Sequence, residues 1–559
     1  MSGRPAAYRY SSHPLVALCA GLLGPRVPAS QGTCDAVGTL RSVRIAALDL
    51  GTNSFHLLVA DVHPDGHFEA ISREKEMIRL GDVVNREGRI TDVASDAAVA
   101  TVERFKRIAD AAGAIELHAC ATSAIRVASN GDALVDRIES ETGVGVEVIS
   151  GLREAELIFG AIRASVLLEP APALCFDLGG GSVEIMVGDA GGLRWATSEN
   201  LGVARLTAEF VSSDPISKDD RRRLRAHVVD VLTPVANTVA TFEPKLFVGS
   251  SGTFGDLAHM VAARRAGDVP VSLNQLTFDR DEFQAVHKDI LLSTATDRLR
   301  FEGLEARRVD LIAAGSIFLA TAMELFGFEE LTVCEWALRE GIVLDAIRRH
   351  DPAEWSDDPR ALRRASVHGL ARRCNSDEAH ARKVADLALT LFDRTQELHA
   401  LGTEDRELLE HAALLHDIGE HVSPSGHHKH GAYLVHHGRL RGFSPAEVQL
   451  LGALARWHRR GTPVPGDDHG LVDTDRLRRL TALLRVADGL DRGRSSAVDS
   501  IDVRVGPSLV VIAVHTEHDA ELELWGARRK RELFEKVFGR DLELTVRTKA
   551  VAPVSAPRR

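Results

Sequence analysis

The chain has 559 residues, 44% of them hydrophobic and 26% charged, with a formal net charge of −12. That length exceeds one ordinary core and predicts three or four globular units. The acidic balance excludes a protein that simply coats nucleic acid, which needs a broadly basic surface, and no apolar run is long enough to span a bilayer.

Residues 1–42 have no periodicity, and although Pro14–Leu23 is apolar and preceded by Arg4 and Arg9, no small-residue cleavage pattern follows; a disordered extension is expected. Val43–Leu50 then reads as a strand, followed by a glycine turn and a second alternating apolar run. The same pattern returns at Ala173–Leu178. Asp49-Leu-Gly-Thr-Asn-Ser-Phe-His-Leu-Leu-Val-Ala-Asp61 and Asp177-Leu-Gly-Gly-Gly-Ser-Val-Glu-Ile-Met-Val-Gly-Asp189 agree at six of thirteen positions. Helical periodicity at Ser95–Ala112 and Asp219–Ala240 makes each half an alternation of strands and helices. The expected limits are 43–170 and 171–345.

Beyond them Asp351–Pro359 is a polar, proline-bearing connector. Residues 360–498 are predicted to be all helical, with helices at Ser376–His399, Glu404–Gly419, Ser444–His458 and Asp473–Leu490. A small α/β unit is expected at 499–550, with strands Ser500–Val505, Leu509–Thr516 and Glu521–Trp525, a helix Ala527–Phe538 and a last strand Leu542–Thr548, before a frayed tail from Val551. The six cysteines, at 19, 34, 120, 175, 334 and 374, form no CxxC pair, which fits a reduced cytoplasm.

A lone Asp-x-Gly-x-x-Ser turn is most often just a hairpin, because glycine supplies the positive φ of tight turns. Its repetition in two similar halves changes the reading. Backbone N–H groups around Gly51, with Thr52, Asn53, Ser54 and Ser182, can point into one cleft, and Gly179, Gly180 and Gly181 let backbone approach an anion with no Cβ in the way. Two facing loops form a cradle for consecutive phosphates. Asp49 and Asp177 cannot bind phosphate directly; they are either turn-capping aspartates or ligands of a hard cation such as Mg²⁺ that neutralises both sides.

Hydrolysis of a phosphoanhydride also needs an oriented water and donors to the phosphate oxygens. Glu154 stands just inside the helix begun by Ser150 or Gly151, where an acid is favoured by the helix dipole and needs no other purpose. Arg126, in a strand-to-helix passage, could grip phosphate oxygens or be an ordinary surface arginine.

Five motifs in order decide between these alternatives. Asp49-Leu-Gly-Thr-Asn-Ser-Phe-His, Ala121-Thr-Ser-Ala-Ile-Arg126, Ile149-Ser-Gly-Leu-Arg-Glu-Ala155, Asp177-Leu-Gly-Gly-Gly-Ser-Val-Glu184 and Gly249-Ser-Ser-Gly-Thr253 resemble the exopolyphosphatase and guanosine pentaphosphate phosphohydrolase family, within the actin-like ATPase superfamily, over Val43–Leu344. The resemblance implies two ribonuclease-H-like half-domains with a substrate cleft between them. It makes Glu154 the catalytic base and Arg126 a substrate ligand, and it has Gly252 and Thr253 close the cleft floor. It also implies a cytoplasmic hydrolase using Mg²⁺ on polyphosphate or guanosine pentaphosphate, with neither nucleic acid nor membrane as partner and a homodimer left open.

A second constellation lies in the helical region. His380, the adjacent His416-Asp417, and Asp488 resemble, in order, the HD metal-dependent phosphohydrolase superfamily; His430 and His458 fall where two-metal members carry further histidines. Imidazoles and carboxylates spread over several helices suit a divalent ion without fixing its identity. Long members of the exopolyphosphatase family carry such a domain, often with degraded ligands, whereas here the set reads as intact. It is either a scaffold for polyphosphate or a second hydrolase, in which case the first two domains act as a sensor.

Overall fold

The computed structural model describes residues 43–63, 68–168, 171–266, 270–350, 359–464 and 473–548. The extension expected over 1–42, most of the connector Asp351–Pro359 and the tail from Val551 lie outside the described residues.

Val43–Leu50 (β1) and Ser54–Val62 (β2) form an antiparallel hairpin with Asp49 opposite His56 and Leu50 opposite Phe55. Almost every residue of β1 from Ile45 to Leu50 is buried, as its unbroken apolar run requires. With Phe68–Met77 (β3), Glu116–Ala121 (β4) and Val146–Val148 (β5), the pair makes a sheet of order β3-β2-β1-β4-β5 in which β4 runs parallel to β1 and to β5.

The second sheet repeats this plan. Ala173–Leu178 (β6), Val183–Asp189 (β7), Gly192–Glu199 (β8), Leu246–Ser250 (β9), Thr277–Asp279 (β10) and Glu330–Cys334 (β11) run in the order β10-β11-β9-β6-β7-β8, with β9 parallel to β6 and β11. The repeat extends to an irregularity. The pairing register shifts between Val59 and Ala60 in β2 and between Val187 and Gly188 in β7, positions that match in the sequence alignment of the two runs. A bulge adds local twist, so both halves bend their edge hairpin at the same point.

The halves share one core. Ile45 and Ala47 of β1, Ala173 and Cys175 of β6, Phe159 of the helix Gly151–Ser165 and Val343 of the helix Leu338–His350 belong to a single buried cluster. The Asp49 and Asp177 ends of β1 and β6 are brought to the same cleft.

The region after 359 is helical: Pro359–Arg373, Glu378–Arg394, Thr403–Leu415, His427–His437, Pro445–Trp457 and Thr474–Gly489 surround a core that includes Leu408, Leu415, Leu454 and Leu483. One expected helix is shorter than its periodicity suggested. Glu404–Gly419 is interrupted after Leu415 and resumes as a 3₁₀ turn over Ile418–His421, with Asp417 at φ −104° and ψ 5° between them.

Ser500–Val505 (β12), Leu509–Thr516 (β13) and Asp541–Thr548 (β14) form the last sheet, β14 parallel to β13. The strand expected at Glu521–Trp525 is instead the start of a helix, Glu521–Lys530, followed by Glu532–Phe538. Its alternation of Glu and Leu suggested period two, but the side chains that pack are Ala520, Glu523, Leu524 and Ala527, a helical face. Glu523 is tolerated inside because it accepts the N–H of Gly493 at 3.2 Å.

Candidate active site

The two glycine loops meet. A Cβ at Gly180 would lie 2.6 Å from Asn53 Nδ2, and one at Gly181 would lie 2.6 Å from Ser123 Oγ and 2.9 Å from Thr52 Oγ1. The glycines are therefore required by loop-to-loop approach as much as by room for an anion. The positive φ expected of them is not the reason, since none of Gly51, Gly179, Gly180 and Gly181 has one.

Each loop has its carbonyls pulled away from the cleft by the start of a following helix. In the first half the N–H groups of Ile78 and Arg79 donate to Asn53 O at 3.0 and 2.8 Å, and that of Gly81, in the helix Leu80–Glu87, to Thr52 O at 2.9 Å. In the second, Val203 and Ala204, opening the helix Val203–Phe210, donate to Gly179 O and Gly180 O at 2.9 and 3.0 Å. Both carbonyl sets are thus anchored backwards, which favours presenting loop N–H groups to an anion. The anchoring helices also need small residues. A Cβ at Gly81 would meet Thr52 Cγ2 at 2.4 Å, and one at Gly202 would meet the Gly181 backbone at 2.3 Å.

Between the loops stand three recessed carboxylates, Asp49 half-buried and Asp177 and Glu154 buried. Burial pushes Asp49 up to about 7, with Arg339 opposing the shift and Asp177 adding to it. Burial likewise raises Asp177 to about 6, although the Ser250 hydroxyl donates to its Oδ2 at 3.0 Å. Glu154, 7% exposed, is raised to about 7, chiefly by burial, against the attraction of Arg126. Ser150 caps its helix by accepting the N–H of Arg153 at 3.2 Å, so Glu154 is held in the first helical turn facing the cleft. A fourth carboxylate, Glu184 of β7, is buried behind them and accepts the Ser198 hydroxyl at 2.8 Å. Burial drives it well above the usual range, with Glu154 and Asp177 adding to the shift.

Arg126 is not on the cleft wall. Its Nη1 donates to Ile149 O at 2.7 Å and to Glu154 Oε2 at 3.1 Å, so it holds the acid. Of the Gly249–Thr253 turn, Gly252 lines the cleft beside the Arg308 guanidinium, whereas Thr253 is 2% exposed and packs towards Gly315. Ser251 between them lines the cleft at φ 97°, strained for a residue with a Cβ, and its hydroxyl is buried without a partner. Ser182 is buried beneath the second loop, with its side chain bonded to Glu184.

The cleft encloses about 1200 Å³, and away from the loops its walls carry Arg73, Lys75, Arg308, Arg339, Arg373 and Arg441. None of these was found from sequence, because a cation on a strand or loop reads as solvated surface unless the fold shows what it faces.

The helical region gathers its own cluster. His380, His416 and Asp488 place ligand atoms within 4.8 Å of one another, as do Asp417, His427 and His458. His427 therefore occupies the place expected of His430, which belongs to neither group. The two groups adjoin at Asp417, whose Oδ2 lies 3.5 Å from His416 Nε2 and whose Oδ1 lies 3.3 Å from His458 Nε2.

A two-halved α/β chain thus brings paired glycine loops, recessed carboxylates and a row of cations to one cleft. The sequence profile of the Ppx/GppA phosphatase family matches residues 58–350, and that of Ppx/GppA phosphatase domain III matches 362–519. The chain belongs to the Ppx/GppA phosphatase family. It is 32% identical over 338 residues to exopolyphosphatase 1 of Mycobacterium tuberculosis, covering 60% of this chain and 96% of that protein. It is 27% identical over 444 residues to the guanosine-5'-triphosphate,3'-diphosphate pyrophosphatase of Aeromonas hydrophila, covering 79% and 86% respectively. The crystal structure of an exopolyphosphatase from Cytophaga hutchinsonii aligns with a TM-score of 0.52 at 33% identity, over 55% of this chain and 98% of that one. No described helix is long and apolar enough to cross a membrane.

Proposed function

We propose that this enzyme releases terminal orthophosphate from inorganic polyphosphate, and from guanosine pentaphosphate less readily, by attack of a water oriented by Glu154. The observation that carries this reading is the pair of touching loops, their carbonyls tied back, beside a carboxylate held near neutrality. Loop N–H groups with Thr52, Asn53 and Ser54 bind the terminal phosphates. Glu154 takes a proton from water as the water oxygen bonds to the terminal phosphorus and the anhydride P–O bond breaks. Arg126 holds Glu154 in place through the 3.1 Å contact.

Mg²⁺ fits the cleft. Asp49 and Asp177 line one cleft and offer oxygen ligands alone, the donor type a hard cation takes. When bound, the ion would neutralise phosphate oxygens in the transition state.

The preference for polyphosphate rests on the walls. The rings Phe68 and Trp336 on the cleft lining are 1% and 6% exposed, and the Arg441 guanidinium covers both at 4.8 and 5.6 Å from their centroids. They offer guanine no open face, whereas the arginines and Lys75 suit a long anion. The four described cysteines are buried and free, in keeping with a cytoplasmic setting. Phosphate release from both substrates, with and without Mg²⁺, tests the reading; release only from guanosine pentaphosphate would refute the preference.

The helical cluster supports a separate divalent-metal site. His416 and His458 bond their Nδ1 to Ala413 O and Ala455 O at 2.7 Å, His427 to Pro424 O at 3.1 Å and His380 to Asp491 Oδ2 at 2.8 Å. Those bonds place the proton on Nδ1 and leave the four Nε2 atoms as acceptors turned towards one another, with His416 Nε2 buried and unpartnered. Imidazoles in that number suit Mn²⁺, Fe²⁺ or Zn²⁺ better than Mg²⁺. Asp488 also pairs with Lys530, and Asp417 with Arg494 at 2.6 Å.

A further inference from the structure

Ser54 is held by a residue that is itself held from the other side of the cleft. His56 Nε2 lies 2.7 Å from Ser54 Oγ, and His56 Nδ1 lies 2.9 Å from Arg339 Nη1. A guanidinium has donors and no acceptor, so Nδ1 must accept and the ring proton must sit on Nε2. The imidazole is thus neutral, one nitrogen accepting from Arg339 and the other protonated. Nε2–H therefore donates to Ser54 Oγ. The hydroxyl proton of Ser54 has no place on the histidine and is free for the cleft.

Arg339 is fixed in turn. Its Nε donates to Glu340 Oε1 at 3.1 Å, and the fully buried Glu340 also accepts the Ala337 N–H at 3.1 Å and approaches Arg73 at 3.5 Å. Arg339 is the second residue of the helix Leu338–His350, which follows β11 of the second half, while Ser54 and His56 lie on β2 of the first. The relay thus runs from one half to the phosphate loop of the other.

We propose that His56 and Arg339 are positioning residues that fix the direction of the Ser54 O–H, making Ser54 a hydrogen-bond donor to a phosphate oxygen. This rests on the cleft being the phosphate site. The recognised group is an anionic phosphate oxygen, the strongest acceptor the Ser54 hydroxyl can meet in the cleft.

The test is a double-mutant cycle in the full chain between His56→Phe and Ser54→Ala, read as kcat/KM for phosphate release from polyphosphate and as the Kd of polyphosphate by calorimetry. His56→Phe alone should lower kcat/KM about fivefold to tenfold, the scale of one neutral hydrogen bond. In the Ser54→Ala background it should cost little more, because the bond it serves is already gone. His56→Gln, whose amide carries both a donor and an acceptor, should recover most of the loss. Equal losses in both backgrounds, an unaffected His56→Phe with its thermal midpoint preserved, or no recovery in His56→Gln would each overturn the relay. If the wild-type chain releases no phosphate from either substrate, the cleft reading fails by itself, and the calorimetric cycle still decides the relay.

Discussion

Gly202→Ala should damage catalysis without touching substrate. The added Cβ would lie 2.3 Å from Gly181 N and C and 2.4 Å from Gly180 C. Carbon atoms pack comfortably near 3.5 Å or beyond, so loop and helix must part by about 1 Å. These are backbone atoms and cannot rotate aside. The helix also holds Gly179 O and Gly180 O through Val203 and Ala204, so the loop moves with it. A misplacement of about 1 Å costs on the order of a hundredfold in rate, and the overpacking costs roughly 1–3 kcal/mol of stability. Steady-state phosphate release gives the first figure and urea unfolding the second. Gly180→Ala is the control, since its Cβ meets the side chain of Asn53, which can yield; its loss should be smaller. Wild-type kcat/KM in a folded Gly202→Ala protein, or equal losses in the two variants, would refute the claim that the helix start positions the loop.

Glu154→Gln should keep substrate affinity while lowering kcat by at least about a hundredfold, as removal of a general base does; stopped-flow binding and turnover separate the two. Glu154 acts only when ionised, so kcat/KM should rise with pH through about 7, and Arg126→Met should move that limb upward because Arg126 favours the carboxylate. In Mg²⁺-free protein the folded state keeps the Glu154 proton above the ordinary value of 4.5. Its stability contribution is therefore full below that value and lost as pH rises through about 7; a urea midpoint less sensitive to pH in Glu154→Gln is the expected sign. Metal content should fall in His427→Ala and not in His430→Ala, measured by elemental analysis after incubation with Mn²⁺, since only His427 lies in a ligand group.

The repeat and the strands around it could be read because β1 and β6 are unbroken apolar runs ending in the same Asp-Leu-Gly turn. Asp49 and Asp177 could be placed at one cleft from the same repeat, whereas Glu154 was singled out by the family resemblance, since an acid in a first helical turn needs no other purpose. Arg126 was placed in the right region, but its contact with Glu154 was not legible, because sequence spacing cannot say which acid a guanidinium meets. His56 and Arg339 are far apart in the chain and meet only across the cleft, so no local pattern joins them. His427 escaped because three histidines, 427, 428 and 430, crowd one helix start, and choosing among them needs the helix's rotation. Glu521–Trp525 misled because Glu-Leu-Glu-Leu imitates a strand over four residues, too short a window to separate period two from period 3.6.

The most direct test of the account is phosphate release from short-chain polyphosphate with Mg²⁺ in three proteins at matched ionic strength: wild type, Glu154→Gln, and His416→Ala combined with Asp417→Ala. The cleft account predicts near wild-type release in the helical-region variant and at least about a hundredfold loss in Glu154→Gln. Loss of release in the folded His416/Asp417 variant, with Glu154→Gln still active, would contradict it and move the chemistry to the helical region.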